Sequence, residues 1–356
     1  MTDSNYPTLL THKSLISVLG NIKEVRFSVD VMLISVRFHG ISRGEFLKLL
    51  DAKFNRSNSG KERFTNSRAW GKLFKDRTYF DVGDSRTSMM ALSRQARPLS
   101  NIHGMLVLNN PSISTVQRVN RLLSENDRRL SFALCGCELA FDFLVFDRHR
   151  LLELQRLIRL TSFFAYARVA FRRGTLPLAT DYTNSRKSIK QLTVYQKNED
   201  YECLRVEFDI NRRKAIQQDL RTPRDLSGYR MKLLDELKFY RIDLERVERT
   251  LFDVNGSHYF SQQVELVLDR DGFQGALVWA RSQRGCPGKC EYVNTGRCRH
   301  RIFARVNLTG KEMFELIQKC PHAKRFVNFR RDFCVEIPEF EEVQRMMKKS
   351  FKTWKR

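Results

Sequence analysis

The sequence has no run approaching the roughly 18 apolar residues that a membrane-spanning helix needs. Its first residues, MTDSNYPTLLTHKSL, carry no basic stretch ahead of an apolar core, so they do not read as a secretory signal. There is no lipidation signal and no basic amphipathic helix with a strong apolar face, which argues against a membrane surface as partner. A Gly-x-x-x-x-Gly-Lys-Ser/Thr loop is missing, so P-loop chemistry on ATP is not expected. The histidines, at 12, 39, 103, 149, 258, 300 and 322, never sit two apart. Low complexity and internal repeats are not evident. Nothing points to secretion, so the eight cysteines read as reduced thiols of a cytoplasm.

Acid is scarce. Asp and Glu number 40 against 64 Lys and Arg, a net charge of +24 that repels itself unless it meets an anion. Nucleic acid is the first expectation for that anion, ahead of a membrane. The chain is 42% hydrophobic and 29% charged, which excludes a wholly disordered or collagen-like polymer. Its 356 residues suit about two domains, each able to bury a core without disulfides.

The pattern predicts an α+β fold: an antiparallel sheet flanked by helices over 1–214, then a mainly helical, basic, cysteine-containing region over 215–356. Residues 24–38 read as a strand or strand pair, 40–50 as a short amphipathic helix, and 51–101 as polar loops around short strands that would contact DNA. A strand at 103–109 precedes a helix over 114–126 that Ser114 can cap. LSFALCGCELAFDFLVF (130–146) is the strongest strand signal, with a bend expected at Gly136. Residues 148–171 begin helical. Residues 188–197 and 202–211 read as a β-hairpin, 229–252 as helical, and 260–284 as two helices. A capping box opens a helix at Thr309 and Glu312, and the chain closes on a basic helix.

Chemistry concentrates in 138–214. Glu138 and Asp142 share a strand face with Ala140 between them. They either line the sheet's exposed side or hold a hard cation such as magnesium or manganese. With the hairpin turn near Glu199 and Asp200, Tyr195 falls opposite Arg205 and Thr193 opposite Glu207. That face then gathers Tyr195, Lys197, Arg205, Glu207 and Asp209. One reading is a ladder of opposite charges, each pair worth about 0.2–1 kcal/mol. The other is a phosphoryl-transfer site with a tyrosine nucleophile, carboxylates for metal, and Lys197 and Arg205 for phosphate charge.

Four segments in order resemble rolling-circle replication initiators of phages and plasmids, the filamentous-phage replication proteins in particular. They are LVLNNPS (106–112), ELAFD (138–142), TNSRKSIKQLTVYQK (183–197) and LRVEF (204–208) followed by Arg212-Arg213. The branch they resemble uses carboxylates where others have a histidine pair. The resemblance implies Tyr195 as the nicking nucleophile, with Lys197 and Arg205 beside it. It implies magnesium or manganese held among Glu138, Asp142, Glu207 and Asp209. It also implies DNA contacts from Arg186, Lys187, Lys190, Arg212 and Arg213. The activity implied is site-specific nicking and rejoining of one strand at an origin, in a bacterial host cytoplasm, with host polymerase and helicase as partners. A tyrosine recombinase would need an Arg-His-x-x-Arg block, and none is present. A non-catalytic basic DNA-binding protein, a regulator or packaging component, is the alternative. Cys286, Cys290, Cys298 and His300 suit a zinc knuckle by residue type, or are free thiols and an imidazole near a basic helix.

Overall fold

The structure is a computed structural model. It describes residues 10–57, 74–83, 87–95, 102–164, 170–173, 180–183, 190–197, 203–250, 257–282 and 329–356. Period-two alternation sets its centre. In β6 (Leu130–Val145) Cys137, Leu139, Phe141 and Phe143 are buried on one face; in β11 (Cys203–Asn211) Leu204, Val206, Phe208 and Ile210 are. Each such burial contributes about 1.5–3 kcal/mol. A one-residue slip would expose them all, so the register is strongly specified. β1 (Ile22–Phe38) pairs with β6 along almost its whole length. The antiparallel sheet is completed by β2 (Asn55–Arg56), β3 (Phe74–Asp81), β4 (Ser88–Gln95), β5 (Gly104–Asn109), β8 (Ala170–Arg173), β9 (Thr180–Thr183) and β10 (Lys190–Gln196). Its order is β2-β3-β4-β5-β1-β6-β11-β10-β9-β8.

Helices α1 (His12–Leu19), α2 (Arg43–Asp51), α3 (Ile113–Glu125) and α4 (Leu151–Thr161) bury their apolar stripes in the main core. The capping box that starts α2 is formed by Ser42 and Glu45. α3 is capped by Ser112, whose Oγ accepts from the Thr115 N–H, and not by Ser114 as the sequence suggested.

Among the described residues, and leaving aside β7 (Ser162–Phe164) of the smaller sheet, the order of elements occurs twice, although the sequence shows no repeat. α1, β1, α2 and β2–β5 are followed by α3, β6, α4 and β8–β11. β5, β4, β3 and β2 lie outward from β1 as β11, β10, β9 and β8 lie outward from β6. On the face turned away from the main core the halves differ. Outward from β1, two rows read Ser35, Met105, Leu92 and Leu33, Val107, Met90. All but Ser35 form a small second apolar core. The 51–101 segment is therefore not only a polar surface, since Met89, Met90, Ala91 and Leu92 are buried at the middle of β4. Outward from β6, the rows read Asp142, Arg205, Tyr195, then Ala140, Glu207, Thr193, then Glu138, Asp209, Gln191.

Past residue 211 come α5 (Arg212–Gln217), α6 (Asp225–Gly228), α7 (Lys232–Glu236), α8 (Leu244–Thr250), α9 (Ser257–Ser282), α10 (Phe329–Phe333) and α11 (Phe340–Trp354). Residues 229–252 are not continuously helical. Leu237–Ile242 form β12, which pairs with β7 (Ser162–Phe164) and β13 (Cys334–Glu336). Leu237, Phe239 and Ile242 are buried there, inside a segment whose charge density reads as helix. α9 is two helices joined at Gly272, whose φ is 75°. A Cβ there would lie 2.7 Å from the Arg159 carbonyl oxygen, so only glycine fits the crossing. α11 packs on β1, with Phe27 edge-on to Phe351 and Trp354. The main core runs from Leu10 to Phe351, so these helices share it with the sheet. No helix among the described residues is long and apolar enough to cross a membrane.

Candidate active site

The site grows from the hairpin. β10 and β11 pair with Tyr195 opposite Arg205 and Thr193 opposite Glu207, the register that the turn position predicts. β11 pairs on its other edge with β6, setting Arg205 against Asp142 and Asp209 against Glu138. Gly136 allows this close fit at the far end, since a Cβ there would sit 2.9 Å from the Ile210 carbonyl oxygen. The expected bend at Gly136 is a bulge at its neighbour: Leu33 opposes Gly136 and Ile34 opposes Leu134, leaving Cys135 as the extra residue.

Arg205 is the buried centre, 3% exposed. Its Nε and Nη2 donate to the two Asp142 carboxylate oxygens at 2.5 and 2.7 Å, and its Nη1 donates to Asp30. Lys197 Nζ reaches Asp142 Oδ2 at 3.3 Å and keeps 37% of its side chain exposed. Burial alone would raise the Asp142 carboxyl, but the hydrogen bonds and charge of Arg205, with Lys197, hold it below the ordinary carboxylate range. Burial likewise disfavours the Arg205 charge, and Asp142 and Asp30 outweigh it.

Asp30 is a site residue that the sequence reading did not single out. It is the extra residue of a β-bulge, since Val29 opposes Leu139 and Val31 opposes Glu138. The bulge brings its carboxylate to Arg205, and Ser28 Oγ donates to its other oxygen at 3.0 Å. The available signal was an acid in the middle of an otherwise apolar strand, SVDVMLIS.

The Tyr195 hydroxyl donates to Glu207 Oε2 at 3.1 Å. Burial raises the tyrosine well above its ordinary value and the Glu207 charge adds to this, so the phenol is protonated at neutral pH. Glu207 is itself raised, by burial first and then by the charge of Asp30. A carboxylate already bonded to the phenolic proton, with its basicity raised, is placed to receive that proton.

The four carboxylates expected at a metal do not form one centre. Asp142 is bound by Arg205 and Lys197, and Glu207 by Tyr195. Glu138 and Asp209 face each other two rows away from Tyr195. Among the described residues no three His, Cys, Asp or Glu side chains gather as a metal-holding group. Arg212 and Arg213 are exposed at the start of α5. Lys214, next to them, turns inward to Glu236 at 3.0 Å. Lys190 opens β10 opposite Ile210. Arg186 and Lys187 lie outside the described residues, as do Cys286, Cys290, Cys298 and His300.

No family model matches the chain. No curated protein matches it. Among solved structures it is similar to a rolling-circle replication initiator protein from Geobacillus stearothermophilus. That likeness has 14% identity and a TM-score of 0.35, over 60% of this chain and 86% of the other.

Proposed function

We propose that this chain nicks and rejoins single DNA strands through a tyrosyl–DNA intermediate, as an initiator of rolling-circle replication. The observation that carries the reading is the Tyr195 hydroxyl bonded to Glu207 beside the Arg205–Asp142–Lys197 network. In the proposed step Tyr195 Oη attacks a phosphodiester in line. The Oη–P bond forms as the P–O3′ bond breaks, the phenolic proton passes to Glu207, and the departing 3′-oxygen takes a proton from water. The strand keeps a 5′-phosphotyrosyl link and a free 3′-hydroxyl that a host polymerase can extend after a helicase opens the duplex. The reverse attack by a 3′-hydroxyl rejoins the strand, so the ester link conserves the energy and no ATP is consumed.

The charges divide the work. Lys197, half out of the sheet, is the cation able to meet the phosphate oxygens as negative charge develops. Arg205, buried and held by two aspartates, is a positioning residue that fixes Asp142 and through it Lys197. Among the described residues the carboxylates do not converge on one point that a cation could share. A magnesium or manganese requirement is part of the proposal to be settled with chelator. The experiment is incubation of the full chain with a supercoiled plasmid carrying the cognate origin. Relaxation with a covalent protein–DNA adduct that Tyr195→Phe abolishes is the expected result. Tight binding without adduct selects the non-catalytic DNA-binding reading instead.

A further inference from the structure

The reactive face continues past Asp142. Tyr195, Arg205, Asp142 and Arg26 form one cross-strand row over β10, β11, β6 and β1. At about 4.8 Å per strand step, Arg26 lies about 14 Å from Tyr195. β1 pairs with β5 only over Val31–Val36, so among the described residues its first half has β6 on one edge only. α11 packs on the other face of this half of the strand, against Phe27, so the reactive face and the helix meet only around the open edge of β1. Between them lies an open cavity of about 480 Å³, lined among others by Lys23, Glu24, Arg26, Phe27, Lys349 and Trp354.

The lining combines three cations with one anion, and Glu24 is already paired with Arg26 at 2.8 Å. The Arg26 side chain is 62% exposed. The far wall carries the Trp354 indole, set edge-on to Phe27 with ring centroids 5.3 Å apart. Cations along a groove with an aromatic platform suit a single nucleic-acid strand, whose phosphates meet the charges and whose bases stack. A duplex cannot offer an unstacked base to such a cleft. A lipid surface would need a broad exposed apolar patch, and Phe27 is buried.

We infer that the groove between β1 and α11 holds an unpaired nucleotide of a single DNA strand, seated on Trp354 with its phosphates at Arg26 and Lys349. The inference rests on the nicking reading for its role, which is to hold the strand near the scissile phosphate. The 14 Å separation corresponds to roughly four nucleotides at duplex spacing, and fewer in a stretched strand.

The test uses the full chain and a fluorescent short oligothymidylate, read by anisotropy over a salt series. Trp354→Ala is expected to weaken binding about five- to 150-fold, the range for one lost base stack. Trp354 also packs on Phe27, so the exposed Lys349→Glu is the second variant. It is expected to weaken binding and reduce the salt slope by roughly 0.7. Lys352→Glu, exposed on the same helix outside the groove, controls for general charge. Wild-type affinity in both groove variants overturns the inference and leaves the nicking reading intact. So does a loss that appears on anionic vesicles and not on oligothymidylate. If the wild-type chain forms no adduct, the nicking reading fails, and weakened oligothymidylate binding in the groove variants still supports the groove.

Discussion

Glu207→Gln separates a catalytic carboxylate from a structural one. The substitution keeps the size of the side chain and an oxygen to accept from Tyr195, and it removes the proton acceptor. Loss of a positioned general base slows reaction typically 100- to 10,000-fold. That corresponds to about 2.7–5.4 kcal/mol at 1.36 kcal/mol per tenfold. The tyrosine is raised by burial and by Glu207, so little phenolate pre-exists to compensate.

Stability should move differently. Glu207 has a folded-state pKa above the ordinary 4.5, so the native state binds the proton more tightly than the unfolded chain. Its favourable contribution is complete below 4.5 and is lost as pH rises through the folded value. Glutamine carries no such dependence. We expect Glu207→Gln to stay within about 1 kcal/mol of wild type at neutral pH, with a flatter stability profile above pH 4.5. The assays are denaturant unfolding against pH and single-turnover adduct formation on an origin strand. Wild-type adduct rates from a folded Glu207→Gln protein would falsify the base assignment. A collapse of stability without a rate effect in the surviving folded fraction would make Glu207 structural.

Tyr195→Phe should leave DNA binding near wild type and reduce nicking to background, at a stability cost of about 1.5–3 kcal/mol for the lost bond to a carboxylate. Normal nicking by that variant would move the nucleophile elsewhere, with Tyr182 next to consider. Arg205→Met should destabilise by about 3–5 kcal/mol, because it strands Asp30 and Asp142 without their buried partner. Adding Asp142→Asn should recover part of that loss, and a single-variant cost under about 1 kcal/mol would refute the clamp. The Asp142 contribution is present above the ordinary 3.8 and fades as pH falls through its lowered folded value, so Arg205→Met should also remove this part of acid unfolding. Excess chelator should stop relaxation, with magnesium or manganese restoring it and Glu138→Ala weakening it. Full activity in chelator would take the metal out of the mechanism.

The hairpin was legible because period-two alternation and a short polar turn together fix both register and facing. That is why Tyr195, Arg205 and Glu207 could be placed on one face from sequence. Asp30 was not legible, since a bulge moves a residue out of the alternation and only the pairing with β6 reveals it. β12 was missed for a related reason. It is a short strand framed by helices and carries Lys238 and Arg241, so its charge matches theirs, while only Leu237 and Phe239 show the strand's alternation. The doubled order of elements leaves no trace in residue identity, because the apolar-in pattern constrains residue class and not sequence. How the four acids divide among partners was not legible. Spacing put the acids on one face, but it could not show that Asp142 would be taken by Arg205 and Glu207 by Tyr195.

The two halves of the sheet supply a control that the molecule carries within itself. Next to β1, the outward rows on this face hold Met105, Leu92, Leu33, Val107 and Met90, packed as an ordinary apolar cluster. Next to β6, equivalent places in the same topology hold Asp142, Arg205, Tyr195, Glu207 and Thr193. The fold is therefore satisfied by apolar side chains at such positions. Replacing buried ion pairs by apolar groups is often neutral or stabilising by about 1–4 kcal/mol, so a charged version is not explained by stability. A charge ladder on an exposed face would leave its members in water. Arg205 is instead buried, clamped twice, and adjacent to a tyrosine whose proton is already directed at a carboxylate. If the proposed reaction is what this half is built for, replacing its charged row by the apolar residues of the other half should leave a folded chain that forms no adduct.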